Sequence, residues 1–311
     1  MNYTVQYVKF PSANGHSECT GTLYVPNGEV RGVVQLSHGM VDHVGRYTLL
    51  ADALAAHGYV LAGNDHLGHG LTAKGSGDPY GYFADDNGRE LVLGDLYTMN
   101  TLLRERFGML PVLMGHSMGS FLSRLYTVRH PETVSGHIIH GTGGPMGAIL
   151  PLGIGLVNLI ILFRGASYRS QFLKNLAFSG YNSHFPKEEG GSAWLTRDLP
   201  LVADRDESEF TSFTFTVSAY RELFRMVGES NAQEWFAGYS KDLPTIVMSG
   251  SEDPVGNYGR GPQYVYDMLK ENGVSSITLK LYDGARHELF NETCREQVFA
   301  DMLEWLYGVA K

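Results

Sequence analysis

Eight short apolar or β-branched runs, separated by longer stretches with helical spacing, constrain this chain more than any other feature. They fall at 3–10, 21–25, 32–37, 59–64, 111–115, 136–140, 244–249 and 277–282. A helix between two strands carries the chain back across the sheet, so the strands it joins run parallel. The later runs, such as Val112-Leu113-Met114 and Ile246-Val247-Met248, are continuously apolar. Strands of that kind need cover on both faces, which crossover helices supply. The expected class is therefore α/β: a mostly parallel eight-stranded sheet flanked by helices. Helices are expected at 47–57, where Leu50, Ala53 and Leu54 share a face and Gly58 is placed to end it, and at 87–107, 118–130, 263–272 and 292–307.

The alternation breaks between 144 and 240. An apolar piece at 150–163, a Gly/Ser-rich loop at 190–192 and a helical piece at 215–227 stand there without a clear parallel strand. The expected organisation is a core of 1–143 and 241–311 interrupted by a helical lid, 144–240. Such an insertion would lie over the carboxyl ends of the strands, where open α/β sheets bind ligands.

One strand leads straight into Gly115-His116-Ser117-Met118-Gly119, which a helical pattern follows. G-x-S-x-G at a strand-to-helix turn is a nucleophile elbow, and the turn projects the serine Oγ outward. Small residues two before and two after Ser117 let the arms of the turn approach. A serine hydroxyl needs a base, and the base needs an orienting carboxylate. In this arrangement they follow in the order serine, acid, histidine. Only His184 and His287, of twelve histidines, lie beyond Pro145, and His184 falls in the insertion. His287, just after the last strand, is the candidate base. Asp253, after the run at 244–249, is the candidate acid, with Glu252 as the neighbouring competitor and Asp283 nearer in sequence to His287. The oxyanion donors are expected to be the backbone N–H of Met118 and that of Met40, in Ser37-His38-Gly39-Met40 after the third strand.

Charge and cysteines exclude other classes. Lys and Arg total 24 against 33 Asp and Glu, a net charge of −9 without a basic block, which argues against nucleic acid as a partner. Cys19 and Cys294 form no zinc spacing and read as unpaired thiols. Asp65, His66 and His69 lie in a Gly-rich loop and read as turn supports rather than metal ligands. The amino-terminal residues lack the pattern of a signal peptide, and the most apolar stretch falls short of the ~20 residues of a membrane span. A cytoplasmic protein without a transmembrane segment is expected.

Together, Ser37-His38-Gly39-Met40, Asp42-His43, Arg46-Tyr47, Asp65-His66-Leu67-Gly68-His69-Gly70, the elbow, Gly250-Ser251-Glu252-Asp253 and Ala285-Arg286-His287-Glu288 resemble the monoacylglycerol lipase and lysophospholipase group of α/β-hydrolases. Asp42 stands where that group commonly has Glu. The resemblance implies the α/β-hydrolase fold with a helical lid, Ser117, Asp253 and His287 as a triad, and Met40 and Met118 as oxyanion donors. It also implies lipid-like monoester substrates, with transient contact to lipid surfaces. Hydrolysis requires no cofactor and no metal, since water is the second substrate. Leu152, Leu156, Leu159, Phe163, Phe172 and Phe213 are candidates to line an acyl pocket, with plain lid packing as the alternative. Two other functions compete. An aminopeptidase or amidase would use lid acids drawn from Glu188, Glu189, Asp204, Asp206, Glu207 and Glu209. A non-catalytic ligand binder would be expected to lack part of the triad.

Overall fold

The computed structural model describes residues 2–309, so positions 1, 310 and 311 of the expected core lie outside it. Its eight strands are β1 (Tyr3–Pro11), β2 (Glu18–Pro26), β3 (Gly32–Ser37), β4 (Tyr59–Asn64), β5 (Val112–His116), β6 (Gly136–His140), β7 (Thr245–Gly250) and β8 (Ile277–Tyr282). They form one sheet in the order β1-β2-β4-β3-β5-β6-β7-β8. The pairs β1–β2 and β2–β4 are antiparallel. All the others are parallel. This is the arrangement expected of an α/β-hydrolase.

The apolar strands are explained by their two faces. Val112, Met114, Ile138, Ile246 and Met248 pack on one side with Leu50 and Leu54 of α1 (Thr48–Ala55) and Met302 and Leu306 of α11 (Arg295–Val309). Their neighbours Leu113, Ile139 and Val247 point the other way. There they meet Leu96 of α3 (Gly88–Phe107), Leu122 of α4 (Met118–Arg129) and Val265 of α10 (Arg260–Glu271). Fully burying one such side chain contributes about 1.5–3 kcal/mol.

Register aligns the carboxyl ends. Ser37 pairs with Gly115, His116 with His140, His140 with Met248, and Gly250 with Tyr282. The loops that leave these residues therefore meet along one edge of the sheet.

Between β6 and β7 the chain forms α5 (Ile149–Arg164), α6 (Gln171–Ala177), α7 (Leu199–Glu207), α8 (Val217–Ser230) and α9 (Gln233–Gly238). The last two do not stand off from the core. Tyr220, Met226 and Val227 of α8 and Trp235 and Phe236 of α9 share the apolar cluster of α4 and β7. Arg124 of α4 is buried there, 3.1 Å from Asn231 Oδ1, with its guanidinium 4.5 Å from the Trp235 ring centre. In contrast, α5 buries only Val157 completely. Pro151 falls in its first turn, where no intrahelical N–H is lost, so the helix continues through it. The short α2 (Gly70–Ser76), α6 and α9, of six or seven residues, have too few turns for a periodic signal and escape sequence reading. Among the described residues no helix is long and apolar enough to cross a membrane, and both cysteines are free.

Candidate active site

Ser117 stands between β5 and α4, with φ 54° and ψ −119°. A non-glycine residue holds positive φ only where its surroundings impose it. Here the Ser117 N–H donates to the His140 carbonyl at 3.0 Å, and the Ser117 carbonyl accepts from the Ser120 N–H at 2.8 Å. Glycine is required on both sides. A Cβ on Gly119 would lie 1.9 Å from the Ser37 carbonyl oxygen, and one on Gly115 would lie 2.3 Å from that of Gly119.

His287 and Asp253 meet although 34 positions separate them. The Asp253 carboxylate accepts from His287 Nδ1 at 2.9 Å, from the Val255 N–H at 2.9 Å and from the Ser249 hydroxyl at 3.3 Å. Both residues are buried. Asp283, by contrast, is exposed, and among the described residues Glu252 bonds only through its backbone. The imidazole lies beside the elbow. Its ring centre is 4.8 Å from that of His116, and a Cβ on Gly141 would come within 3.1 Å of its Cε1.

Behind it lies a neutral histidine pair. The Leu289 N–H donates to His140 Nε2 at 3.3 Å, so the His140 proton resides on Nδ1. That proton is donated to His116 Nδ1 at 3.0 Å, leaving the His116 proton on Nε2. Burial pushes both imidazoles down, His140 to about 3 and His116 well below its usual range.

The loop carrying Met40 is braced from several directions. Asp42 accepts from the amides of Gly39 (3.3 Å) and His43 (2.9 Å), from the Tyr47 hydroxyl (2.7 Å) and from Arg46 (2.9 Å). Arg46 also forms a bidentate pair with Glu288, at 2.9 and 2.8 Å. Burial alone would raise the two carboxyls. Arg46 outweighs it, holding Glu288 at about 2 and Asp42 well below the carboxylate range. The nearby histidines support turns. His38 Nε2 accepts from the His66 N–H and its Nδ1–H donates to the Gly39 carbonyl. His69 Nε2 accepts from Val41 and its Nδ1–H donates to Leu67. Asp65 accepts from the amides of Val44 and Leu71. No group of metal-ligating residues occurs among the described residues. Among those same residues, the Met40 and Met118 amides donate to no protein acceptor.

Of the six expected acyl-pocket residues, Leu152 (73% exposed), Leu159, Phe163 (74%) and Phe172 (61%) are exposed to solvent. Helix α5 is apolar around its circumference, so sequence could not show which side turns to solvent. Leu156 and Phe213 pack against the core cluster, Phe213 with its ring centre 5.4 Å from that of His69. A different aromatic residue, Trp194, reaches the site, and its ring centre lies 5.0 Å from that of His287. It had no motif to announce it. Arg46 and Glu288 belong to the motif set, but their pairing across 242 positions became visible only in the fold.

The sequence model of the family described as serine aminopeptidase, S33, matches residues 28–294. The monoacylglycerol lipase of Mycolicibacterium smegmatis is 26% identical over 296 residues, covering 91% of each chain. The monoglyceride lipase of Saccharomyces cerevisiae is 27% identical over 320 residues, covering 97% of this chain and 92% of that protein. Among solved structures, a highly thermostable carboxyl esterase from Bacillus coagulans in complex with glycerol matches with a TM-score of 0.91 at 27% identity, covering 99% of both chains.

Proposed function

Because this chain belongs to the serine aminopeptidase S33 family and is a serine hydrolase of the α/β-hydrolase fold, we propose that it hydrolyses carboxylic esters of the monoacylglycerol and lysophospholipid class through Ser117, Asp253 and His287. The observation that carries this reading is the Asp253–His287 bond, set on the same sheet edge as the strained serine. Ser117 Oγ attacks the ester carbonyl carbon while its proton passes to His287. Asp253 holds the imidazole with the proton on Nδ1 and stabilises the imidazolium. The Met40 and Met118 amides receive the oxyanion. Collapse breaks the bond to the leaving alcohol, which takes the proton from His287. Water, deprotonated by His287, then releases the fatty acid and restores Ser117.

An aminopeptidase would need a carboxylate free to hold the substrate's amine. Glu189 is paired with Arg286, Asp206 with Arg205, and Glu209 with Lys74. Glu188, Asp204 and Glu207 are exposed. These placements favour esters. The segment between β6 and β7 acts as the lid. Its outward side chains Ile149, Leu152, Leu159, Leu162 and Phe163 on α5 suit contact with the lipid surface from which such substrates are drawn.

The test is a side-by-side assay of monoacylglycerols, lysophospholipids and aminoacyl anilides, with Ser117→Ala as control. Wild type should turn over the esters, and the alanine variant should lose roughly 10⁴-fold or more. Preferred cleavage of the anilides, or near-normal ester turnover by the variant, contradicts the proposal.

A further inference from the structure

The stretch 189–198 between β6 and β7 is stitched to the loop that carries His287. The His287 N–H donates to the Trp194 carbonyl at 3.4 Å, and the Glu288 N–H to the Leu195 carbonyl at 2.7 Å. Arg286 donates to the carbonyls of Ala193 (2.7 Å) and Thr196 (3.3 Å) and pairs with Glu189 at 2.6 Å. The Thr196 hydroxyl donates to the Asn291 carbonyl at 2.8 Å. Buried Glu292 accepts from the amides of both Arg286 and Arg197, and from Arg197 Nε. Arg295 closes the seam on Asp198 at 2.8 Å.

The seam delivers one aromatic ring to the imidazole. Trp194 lies 5.0 Å from His287 between ring centres, with the planes 38° apart. Phe178 and Tyr181 pack on the indole, at 5.9 and 5.1 Å. Its N–H of the main chain donates to Asn182 Oδ1 at 3.0 Å. The indole is thus held from behind and from the backbone.

We propose that Trp194 is a positioning residue for the reaction: its face holds the His287 ring against Asp253 and stabilises the imidazolium formed when Ser117 gives up its proton. The inference rests on the triad proposed above. An indole face attracts a cation within about 6 Å of its centre, more strongly where water is excluded. Asp253 attracts the imidazolium at its Nδ1 edge, and the indole adds to that from the ring; His116 and His140, bonded to each other as a neutral pair, add no such attraction. Burial raises the Tyr181 phenol, and the Asp253 carboxylate adds to the rise. Arg286 and Glu288, on either side in sequence, are satisfied by Glu189 and Arg46.

Trp194→Leu and Trp194→Phe separate this role from a structural one. Leucine keeps the apolar cover and removes the π face; phenylalanine keeps the face. Rates are normalised to active sites titrated with a fluorophosphonate. The leucine variant should lose roughly tenfold in kcat, and the acid limb of its kcat/KM profile should move down by roughly half a pH unit as the imidazolium loses its support. The phenylalanine variant should stay within about threefold of wild type, with its limb in place. Trp194→Met serves where the leucine variant does not fold. An unmoved acid limb in the ringless variants, or a phenylalanine variant as impaired as they are, overturns the proposal. Ester turnover that survives Ser117→Ala would instead remove the triad on which it rests.

Discussion

At Asp253, one oxygen decides the chemistry of its neighbour. Oδ2 accepts from His287 Nδ1, so asparagine could offer an amide in its place and leave the imidazole in the wrong tautomer. Asp253→Asn should lower kcat by about 10⁴-fold with a Tm near that of wild type; calorimetry beside ester kinetics checks both. Arg46 acts differently, neutralising two buried carboxylates at once. Arg46→Met would leave Asp42 and Glu288 uncompensated and should destabilise by about 3–5 kcal/mol, read from urea unfolding at pH 7. The elbow and His287 were legible as residues because a motif or an elimination singled them out. The choice among Glu252, Asp253 and Asp283 was less so, since each follows a strand and only folding shows which carboxylate reaches the ring. Arg46 with Glu288, and Trp194 with His287, were illegible as pairs. Their partners are distant in sequence and the pairing depends on loop paths.

Among the elements, the strands were the most legible. Strands β3, β4, β6 and β8 begin and end at the expected residues. Helix α5 shows the opposite case: with apolar residues all round, its pattern cannot say which side faces water. Its exposed side leads to a prediction. Leu152→Glu with Phe163→Glu should weaken sedimentation with phospholipid vesicles while leaving hydrolysis of a soluble short-chain ester within about twofold. Equal sedimentation of variant and wild type would remove lipid contact from the proposed function. The loop after β3 invites a test of its backbone. Met40→Ala keeps the amide and should be mild, whereas Met40→Pro deletes it and should cost about 10²–10³ in kcat.

Over the whole molecule, buried imidazoles govern the response to acid. Burial depresses His66, His69, His116, His137 and His140, three of them to about 3. An unfolded chain would bind protons at these sites from the ordinary value of 6.5 downward. The stability they carry is therefore full above pH 6.5 and is lost as pH falls toward 3, by up to about 1.4 kcal/mol per unit for each. Glu288 adds to this below 4.5 and down to about 2. Tm measured from pH 7.5 to 4 should fall with a slope that steepens below 6.5; a flat curve would mean that these rings are not neutral and buried together. The fold class was legible because strands alternating with helices dictate a mostly parallel sheet. The arrangement of residues 144–240 was not: α8 and α9 join the core through Tyr220 and Trp235, contacts that no local pattern encodes.

The seam between 189–198 and the loop after β8 bears on how such a scaffold can be re-engineered. Loops on one sheet edge can ordinarily be exchanged as cassettes, because the strands beneath hold the geometry. Here one donor segment also grips the loop that carries His287. On the proposed function, a chimera importing a foreign segment between β6 and β7 should keep His287 in place where the graft brings its own stitching to Arg286, Glu288 and Glu292. Recombination points that retain native residues 189–198 should give active hybrids more often than those that replace them.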